Sequence, residues 1–237
     1  MEPAESVYYR HSTRVPAASR LSLRARSAIY QRFLRVMSPG PGDRVLDIGV
    51  TSDTQHPESN FLERAYPWKR QITCVGTEDG SHLEREHPGV RFVRVTAGER
   101  LPFDDGAFDI VFSNAVIEHV GGSGRQRAFV AEALRVAPRV FLVTPNRWFP
   151  VETHTGLPLV HYLPPRLFRG LLGRTPYAIW ASEDQLNLLT ASSLARLFPP
   201  EVRMMVEYGG VGAGPLHSNL IAYGGRIGAS GGQSTRR

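Results

Sequence analysis

Five short apolar runs alternate with segments of helical periodicity, and this alternation constrains the fold more than any other feature of the chain. The runs cover residues 44–48, 71–75, 91–95, 108–112 and 139–144. Each is bounded by turn residues and has the length of one buried strand. Helix-compatible stretches lie near 58–65, 81–86 and 125–136. Alternating strands and helices predict an α/β fold with a parallel, doubly wound sheet.

The end of the chain departs from this alternation. Two strand-like runs, 202–208 and 218–223, are joined by a glycine-rich segment with no helix between them. They predict a closing antiparallel hairpin, and hence a Rossmann-like, mostly parallel sheet of about seven strands. We divide the chain into an N-terminal helical extension (1–41), one main domain (42–224) and a tail (225–237) that is too polar and glycine-rich to fold.

The basic residues exclude several classes of protein. Lys+Arg number 28 against 22 Asp+Glu, which gives a net charge of +6. Lys69 is the only lysine, an arginine bias that a GC-rich genome produces without any ligand, so we do not expect a nucleic-acid partner. Since a P-loop and a pyridoxal site each require a lysine in a specific context, the sequence around Lys69 argues against ATPases and pyridoxal enzymes.

The remaining bulk features concern compartment and metals. No apolar run has the form of a secretory signal or the length of a membrane span, so we expect a cytoplasmic protein. Cys74 is the only cysteine, which rules out an internal disulfide and a thiolate zinc cluster. We predict no metal site from the sequence.

Acidic residues and one glycine stand where the first two predicted strands end. Asp47 and Gly49 close the first strand, and Glu78 follows the second. Ligands bind at this edge of a parallel sheet, where a carboxylate can accept hydrogen bonds from the hydroxyls of a ribose. The turn 49–53 holds one glycine and an added acid, which disfavours a dinucleotide pyrophosphate. Two alternatives to a ligand-binding role remain: Asp47 could be a turn or capping residue, and Glu78 could be a solvated loop charge.

A longer set of motifs resembles a known family. The motifs are Asp47-Ile48-Gly49, Val75-Gly76-Thr77-Glu78, the string from Leu101 to Val120 (LPFDDGAFDIVFSNAVIEHV) and Thr144-Pro145-Asn146. In this order they resemble the class I S-adenosylmethionine-dependent methyltransferases, in particular the type-11 branch that includes ubiquinone-pathway enzymes. The resemblance covers about 42–223 and implies that S-adenosylmethionine is the cofactor.

The resemblance also implies roles for individual residues. Asp47 and Gly49 would hold the methionine end of the cofactor, Glu78 the ribose, and Asn114 would line the sulfonium region. The sequence departs from the family pattern at three positions that follow strands, Thr51, Asp53 and Ala97.

Two of those departures replace glycines, and Ala97 replaces the aspartate that accepts the adenine amino group. Gly98 and Glu99, which come next, would have to supply the adenine contacts. The departures leave open an alternative function, a non-catalytic Rossmann-like protein whose cofactor binding is lost or altered.

The segment 147–164, which follows the fifth strand, has the composition of an acceptor pocket. It mixes aromatic rings with Glu152, His154 and His161. Either histidine, or His119 after the fourth strand, is a candidate base for the acceptor's proton. A packed lid whose histidines bond to the backbone is the alternative.

These residues predict methyl transfer to a small-molecule, glycan or lipid-linked acceptor. Arginine and apolar residues in the N-terminal extension and in 163–172 would suit an amphiphilic acceptor or peripheral membrane contact. A nicotinamide-dependent oxidoreductase is disfavoured, because the glycine fingerprint and a Tyr-x-x-x-Lys motif are both missing. The sequence does not indicate an oligomeric state.

Overall fold

The computed structural model describes residues 16–226. The strands are β1 Val45–Ile48, β2 Ile72–Gly76, β3 Arg91–Arg94, β4 Ile110–Asn114, β5 Arg139–Pro145, β6 Val202–Gly209 and β7 Asn219–Arg226. The helices are α1 Pro16–Met37, α2 Phe61–Ala65, α3 His82–Glu86, α4 Ser123–Val136, α5 Pro165–Leu172 and α6 Ala191–Ala195. Short 3-10 turns lie between them, and one of these, Ile117–His119, matters for the site.

The strands form one 7-stranded sheet in the order β3-β2-β1-β4-β5-β7-β6. The first five are parallel, and β7 runs antiparallel to both β5 and β6. This confirms the predicted doubly wound, Rossmann-like sheet with its C-terminal antiparallel hairpin. The order reverses between β1 and β4, so the carboxyl ends of these two neighbours form the point where α/β folds bind ligands.

Apolar side chains cover both faces of the sheet. One face packs α4 and α6 through residues such as Val130 and Leu194. The other packs α1, whose Phe33 lies edge-on to Phe112 of β4 and Phe141 of β5. The part of α1 that the structure describes therefore belongs to the core that supports the sheet.

The last strand is longer than the sequence predicts. β7 runs to Arg226 because Gly224 and Gly225 pair with β5 on one side and β6 on the other. Two ladders of hydrogen bonds outweigh the low strand propensity of these glycines. The rest of the predicted tail, and the first fifteen residues of the predicted extension, lie outside the described residues.

A long excursion separates β5 from α6. It leaves the sheet at Asn146 and returns at Leu189, and a parallel bridge joins these two residues. Phe168, Leu172, Trp180 and Leu186 give it a small apolar core of its own. This segment, residues 146–189, is therefore fixed at its base beside the carboxyl end of β5. Within 16–226 no helix is long and apolar enough to cross a membrane.

Candidate active site

The turn after β1 requires a glycine. Gly49 has φ +108°, and a Cβ at this position would overlap the side chain of Val116. The backbone N–H groups of Gly49 and Val50 donate to the carbonyl of Val75 at 2.8 and 3.1 Å. The turn therefore folds towards β2, with Val116 packed closely above it.

Glu78 follows β2 and forms hydrogen bonds to the segment after the β1 turn. Its Oε2 accepts the backbone N–H of Ser52 at 3.0 Å and the Ser52 hydroxyl at 2.8 Å. One carboxylate oxygen thus takes two donors from a single residue. The two hydroxyls of a ribose would donate a comparable pair of hydrogen bonds to this carboxylate.

The two residues that replace glycines, Thr51 and Asp53, are used inside the loop. The Asn60 side chain accepts the Thr51 N–H and donates to the Thr51 carbonyl, both at 3.0 Å. Asp53 is buried and accepts hydrogen bonds from Ser59 and His56. The side chains of Asn60 and Asp53 therefore hold this enlarged loop in place through hydrogen bonds within it.

Asp47 lies in the core against Glu63 of α2. Burial raises the pKa of both carboxyls, and the neighbouring Glu63 raises that of Asp47 further. Both carboxyl oxygens of Glu63 lack a donor among the described N–H and O–H groups. The raised pKa values favour a proton on this pair, which reduces the repulsion between two buried acids. We refer to Asp47 and Glu63 as the acid pair.

Asn114 shares a sheet face with Asp47. The register pairs Asp47 with Phe112. Because side chains alternate along a strand, Asn114 points to the same face as Phe112 and Asp47, and Ser113 points to the other face. The Oδ1 of Asn114 is buried and accepts no hydrogen bond from the described residues. It is an acceptor at the strand tip that is suited to a cationic ligand group. Gly98, with φ +80°, and Glu99 lie in an exposed turn after β3.

The turn after β4 and the loop after β5 meet in a group of acids and imidazoles that we call the histidine cluster: Glu118, His119, Glu152 and His154. Nε2 of His154 lies 3.2 Å from Nε2 of His119. Nδ1 of His154 lies 2.7 Å from Oε1 of Glu152, and Nδ1 of His119 lies 2.6 Å from the carbonyl oxygen of Gln185. The ring of Trp180 packs against both imidazoles.

The two acids of the cluster are buried but have partners. Thr144 donates its hydroxyl to Oε2 of Glu118 at 2.9 Å, while burial raises the pKa of this carboxyl. Burial also opposes ionisation of Glu152, but His154 outweighs it and lowers the Glu152 pKa to about 2. Glu152 also accepts the backbone N–H groups of His154 and Thr155. It is therefore a fixed anion that orients the His154 ring.

The imidazoles differ in their surroundings. Burial would lower the pKa of His154, but the Glu152 carboxylate reverses the effect and raises it. Burial and the neighbouring His154 lower the pKa of His119 to about 3. The surroundings therefore favour the protonated form of His154 and the neutral form of His119.

His161 lies apart from this cluster. It is buried, and its Nε2 donates to the carbonyl of Phe149 at 2.9 Å, while burial lowers its pKa. It lines a narrow crevice with Asn146, Val151 and Glu152. Of the three histidines predicted as bases, the structure brings together His119 and His154.

Sequence reasoning missed three parts of this site. The sequence assigns no site role to Glu118 or Glu63, and it includes Glu152 only as part of a mixed segment. The spacing Glu152-x-His154 and the adjacency of Glu118 and His119 were the available signals. Neither shows which carboxylate reaches which ring, because that depends on how the two loops pack.

Comparisons with known proteins agree with this geometry. Residues 59–139 match the family model described as a methyltransferase domain. The likeness to a methyltransferase domain lies in this segment. The chain's mostly parallel sheet with a C-terminal antiparallel pair is the Rossmann-like fold of solved methyltransferases. The narrower likeness to the ubiquinone-pathway branch stays a prediction. No curated protein matches the chain significantly.

Solved structures share the fold at low sequence identity. PH0226 protein from Pyrococcus horikoshii OT3 is 15% identical, with a TM-score of 0.56 over 93% of this chain and 97% of that one. Magnesium protoporphyrin IX methyltransferase from Synechocystis PCC 6803, solved with bound SAH, is 13% identical, with a TM-score of 0.56 over 93% and 91%. The CurJ carbon methyltransferase is 13% identical, with a TM-score of 0.51 over 84% of this chain, which spans about half of that structure (52%).

Proposed function

We propose that this methyltransferase transfers the methyl group of S-adenosylmethionine to a small-molecule, glycan or lipid-linked acceptor bound against the histidine cluster. The observation that carries the proposal is the position of the cluster. It joins the segment after β4 to the loop after β5, and these neighbouring strands end at the same edge of the sheet. The predicted cofactor residues Asp47, Gly49, Glu78 and Asn114 lie along that edge as well.

The residues present fit the cofactor. Glu78 holds two donors of one neighbour on a single oxygen, and Asn114 offers a buried acceptor with no described donor. Glu78 would hold the ribose, and Asn114 with Asp47 would hold the methionine end. Gly49 would allow close approach of the backbone, and Gly98 with Glu99 would contact the adenine. When bound, the cofactor supplies an activated methyl group.

The chain's own residues would position the acceptor. With an oxygen acceptor, the new O–C bond forms as the S–C bond breaks, and the electron pair of the S–C bond stays on sulfur as S-adenosylhomocysteine leaves. Alignment of the reacting atoms supplies much of the acceleration. The imidazoles of His119 and His154 would orient the acceptor and receive its proton, while Glu152 fixes the His154 ring. The backbone bond of His161 favours a supporting role in the loop.

The outer surface of the excursion supports an amphiphilic acceptor. In α5, Phe168 and Leu172 are buried, whereas Leu167 is 61% and Leu171 45% exposed. Leu163, just before this helix, is also exposed. We expect flotation with anionic vesicles, reduced by Leu167→Glu, since a charge would oppose insertion of this face. Full recovery of the wild-type protein in the vesicle-free fraction would argue against a lipid-linked acceptor.

Binding of S-adenosylhomocysteine tests the proposed function. We expect calorimetry to show one site per chain. Glu78→Ala should weaken binding by at least tenfold, because each lost hydrogen bond to a charged group contributes about 1.5 to 3 kcal/mol. Replacement of the exposed Glu86 by alanine is the matched control and should leave affinity unchanged.

One observation favours the second candidate, a non-catalytic protein with altered cofactor binding. Val116 packs over Gly49, and Ser52 occupies the Glu78 oxygen that a ribose would use. A wild-type protein that is folded but fails to bind either S-adenosylmethionine or S-adenosylhomocysteine would support this candidate and contradict the enzyme.

A further inference from the structure

Three potential metal ligands converge in the histidine cluster. One ligand atom each from Glu118, His119 and His154 lies within 4.8 Å of the other two. The two imidazole Nε2 atoms are 3.2 Å apart, and Oε1 of Glu118 lies 3.8 Å from Nε2 of His119. The ligands come from two segments, so the packing of the excursion against the turn after β4 creates the group.

Hydrogen bonds orient both rings for this purpose. Nδ1 of His154 faces the Glu152 carboxylate, and Nδ1 of His119 faces the Gln185 carbonyl. Both partners are acceptors, so each Nδ1 carries a hydrogen and each Nε2 directs its lone pair into the cluster. A carboxylate or carbonyl behind the imidazole is the arrangement that fixes metal-binding histidines.

The third ligand is a carboxyl group with a spare oxygen. Glu118 is completely buried, and Thr144 occupies its Oε2. Its Oε1 accepts no hydrogen bond from the described residues. When both imidazoles are neutral and protonated on Nδ1, two Nε2 lone pairs and Oε1 of Glu118 converge, and a single cation at their centre would be bound by all three.

We propose that Glu118, His119 and His154 bind a divalent transition-metal ion of the zinc type. Two imidazoles and one carboxylate suit such an ion better than Mg²⁺ or Ca²⁺, which prefer oxygen ligands. In a tetrahedral zinc site two nitrogen ligands lie about 3.3 Å apart, since each Zn–N bond is about 2.0 to 2.1 Å. The Nε2–Nε2 distance of 3.2 Å already matches this edge.

Three protein ligands leave a fourth position open, as in catalytic zinc sites. What the ion does there rests on the proposed function. An acceptor hydroxyl in the open position would lose its proton to water more easily, since a bound cation stabilises the oxyanion. The histidines would then be metal ligands, and the expectation that the protein has no metal site would be replaced.

Metal titration tests the binding directly. Untagged full-length protein, stripped with a chelator, is titrated with Zn²⁺ by calorimetry and with Co²⁺ by visible absorption. We expect one ion per chain and the intense absorption of tetrahedral Co²⁺. His154→Ala and Glu118→Gln should each weaken Zn²⁺ binding by at least a hundredfold, and Glu152→Gln by about 10- to 100-fold, because it frees the ring.

His87→Ala is the matched control, since His87 lies beyond α3 and outside the cluster; it should bind Zn²⁺ like wild type. Circular dichroism checks that each variant is folded, and the conservative Glu118→Gln keeps the test valid if His154→Ala unfolds. Absence of Zn²⁺ binding by wild type, or equal binding by folded Glu118→Gln, overturns the proposal. Neither result bears on S-adenosylhomocysteine binding, so failure of the metal site and failure of the proposed function are distinguishable.

Discussion

The acid pair and the histidine cluster both bury carboxyl groups, but they accommodate them in different ways. Each contains two buried carboxyl groups at the functional edge of the sheet. In the acid pair, Arg26 and Lys69 are the nearest cations, but their effect on the pKa values is smaller than that of burial. The surroundings of the pair therefore favour protonated carboxyls. In the cluster, an imidazole faces the acids and Glu152 remains ionised.

This difference shows where buried charge is located in the protein. Glu152 is a buried anion held by an imidazole and two backbone N–H groups, which together replace the water that burial removes. In the acid pair, burial instead opposes ionisation of both carboxyls. Fixed negative charge is thus concentrated between β4 and β5.

Removing the central imidazole should have the largest effect. His154→Ala is expected to lower turnover on an identified acceptor by about two to four orders of magnitude, whether the ring acts as a base or as a metal ligand. Affinity for S-adenosylhomocysteine should change little. Steady-state kinetics and calorimetry on the same preparation measure both, with His87→Ala as the control. Loss of cofactor binding together with activity would instead assign a structural role to the ring.

Neutralising Glu152 should destabilise the protein. Glu152→Gln removes a buried anion from His154 and weakens charge-assisted hydrogen bonds, so the free energy of unfolding should fall by about 2 kcal/mol. Urea denaturation at neutral pH measures this change. A variant as stable as wild type would show that the Glu152–His154 contact contributes nothing net.

A glutamate-to-glutamine substitution in the acid pair should raise the free energy of unfolding instead of lowering it. Because both folded-state pKa values are raised, the folded chain holds protons that the unfolded chain releases above about pH 4. The pair's contribution is therefore complete at lower pH and is lost as pH rises through the raised values. Glu63→Gln supplies a neutral donor to Asp47 and should stabilise the protein by about 1 kcal/mol at pH 8.

Denaturation of wild type and Glu63→Gln across pH 5 to 8 checks this prediction. The wild-type free energy of unfolding should decline more steeply with pH than that of the variant, and the exposed Glu86→Gln should behave like wild type. Parallel curves for wild type and Glu63→Gln would mean that the acid pair does not hold the proton assigned to it.

The sequence by itself determined the strands, their parallel order and the terminal hairpin. Period and turn residues act locally, and the rules that link alternating strands and helices leave few topologies. It also placed Asp47, Glu78 and Asn114 at strand tips, since a tip follows from the end of an apolar run. The predicted hairpin needed correction only at its end, where pairing extends β7 to Arg226.

Tertiary structure alone decided the contacts of the site. His119 and His154 are 35 positions apart, and their contact depends on the path of the excursion over the sheet edge. Asp53 departs from the family pattern, and its side-chain bonds to His56 and Ser59 are visible only in three dimensions. Protonation of buried groups follows from which charges become neighbours and how little water remains, and neither is encoded in local sequence.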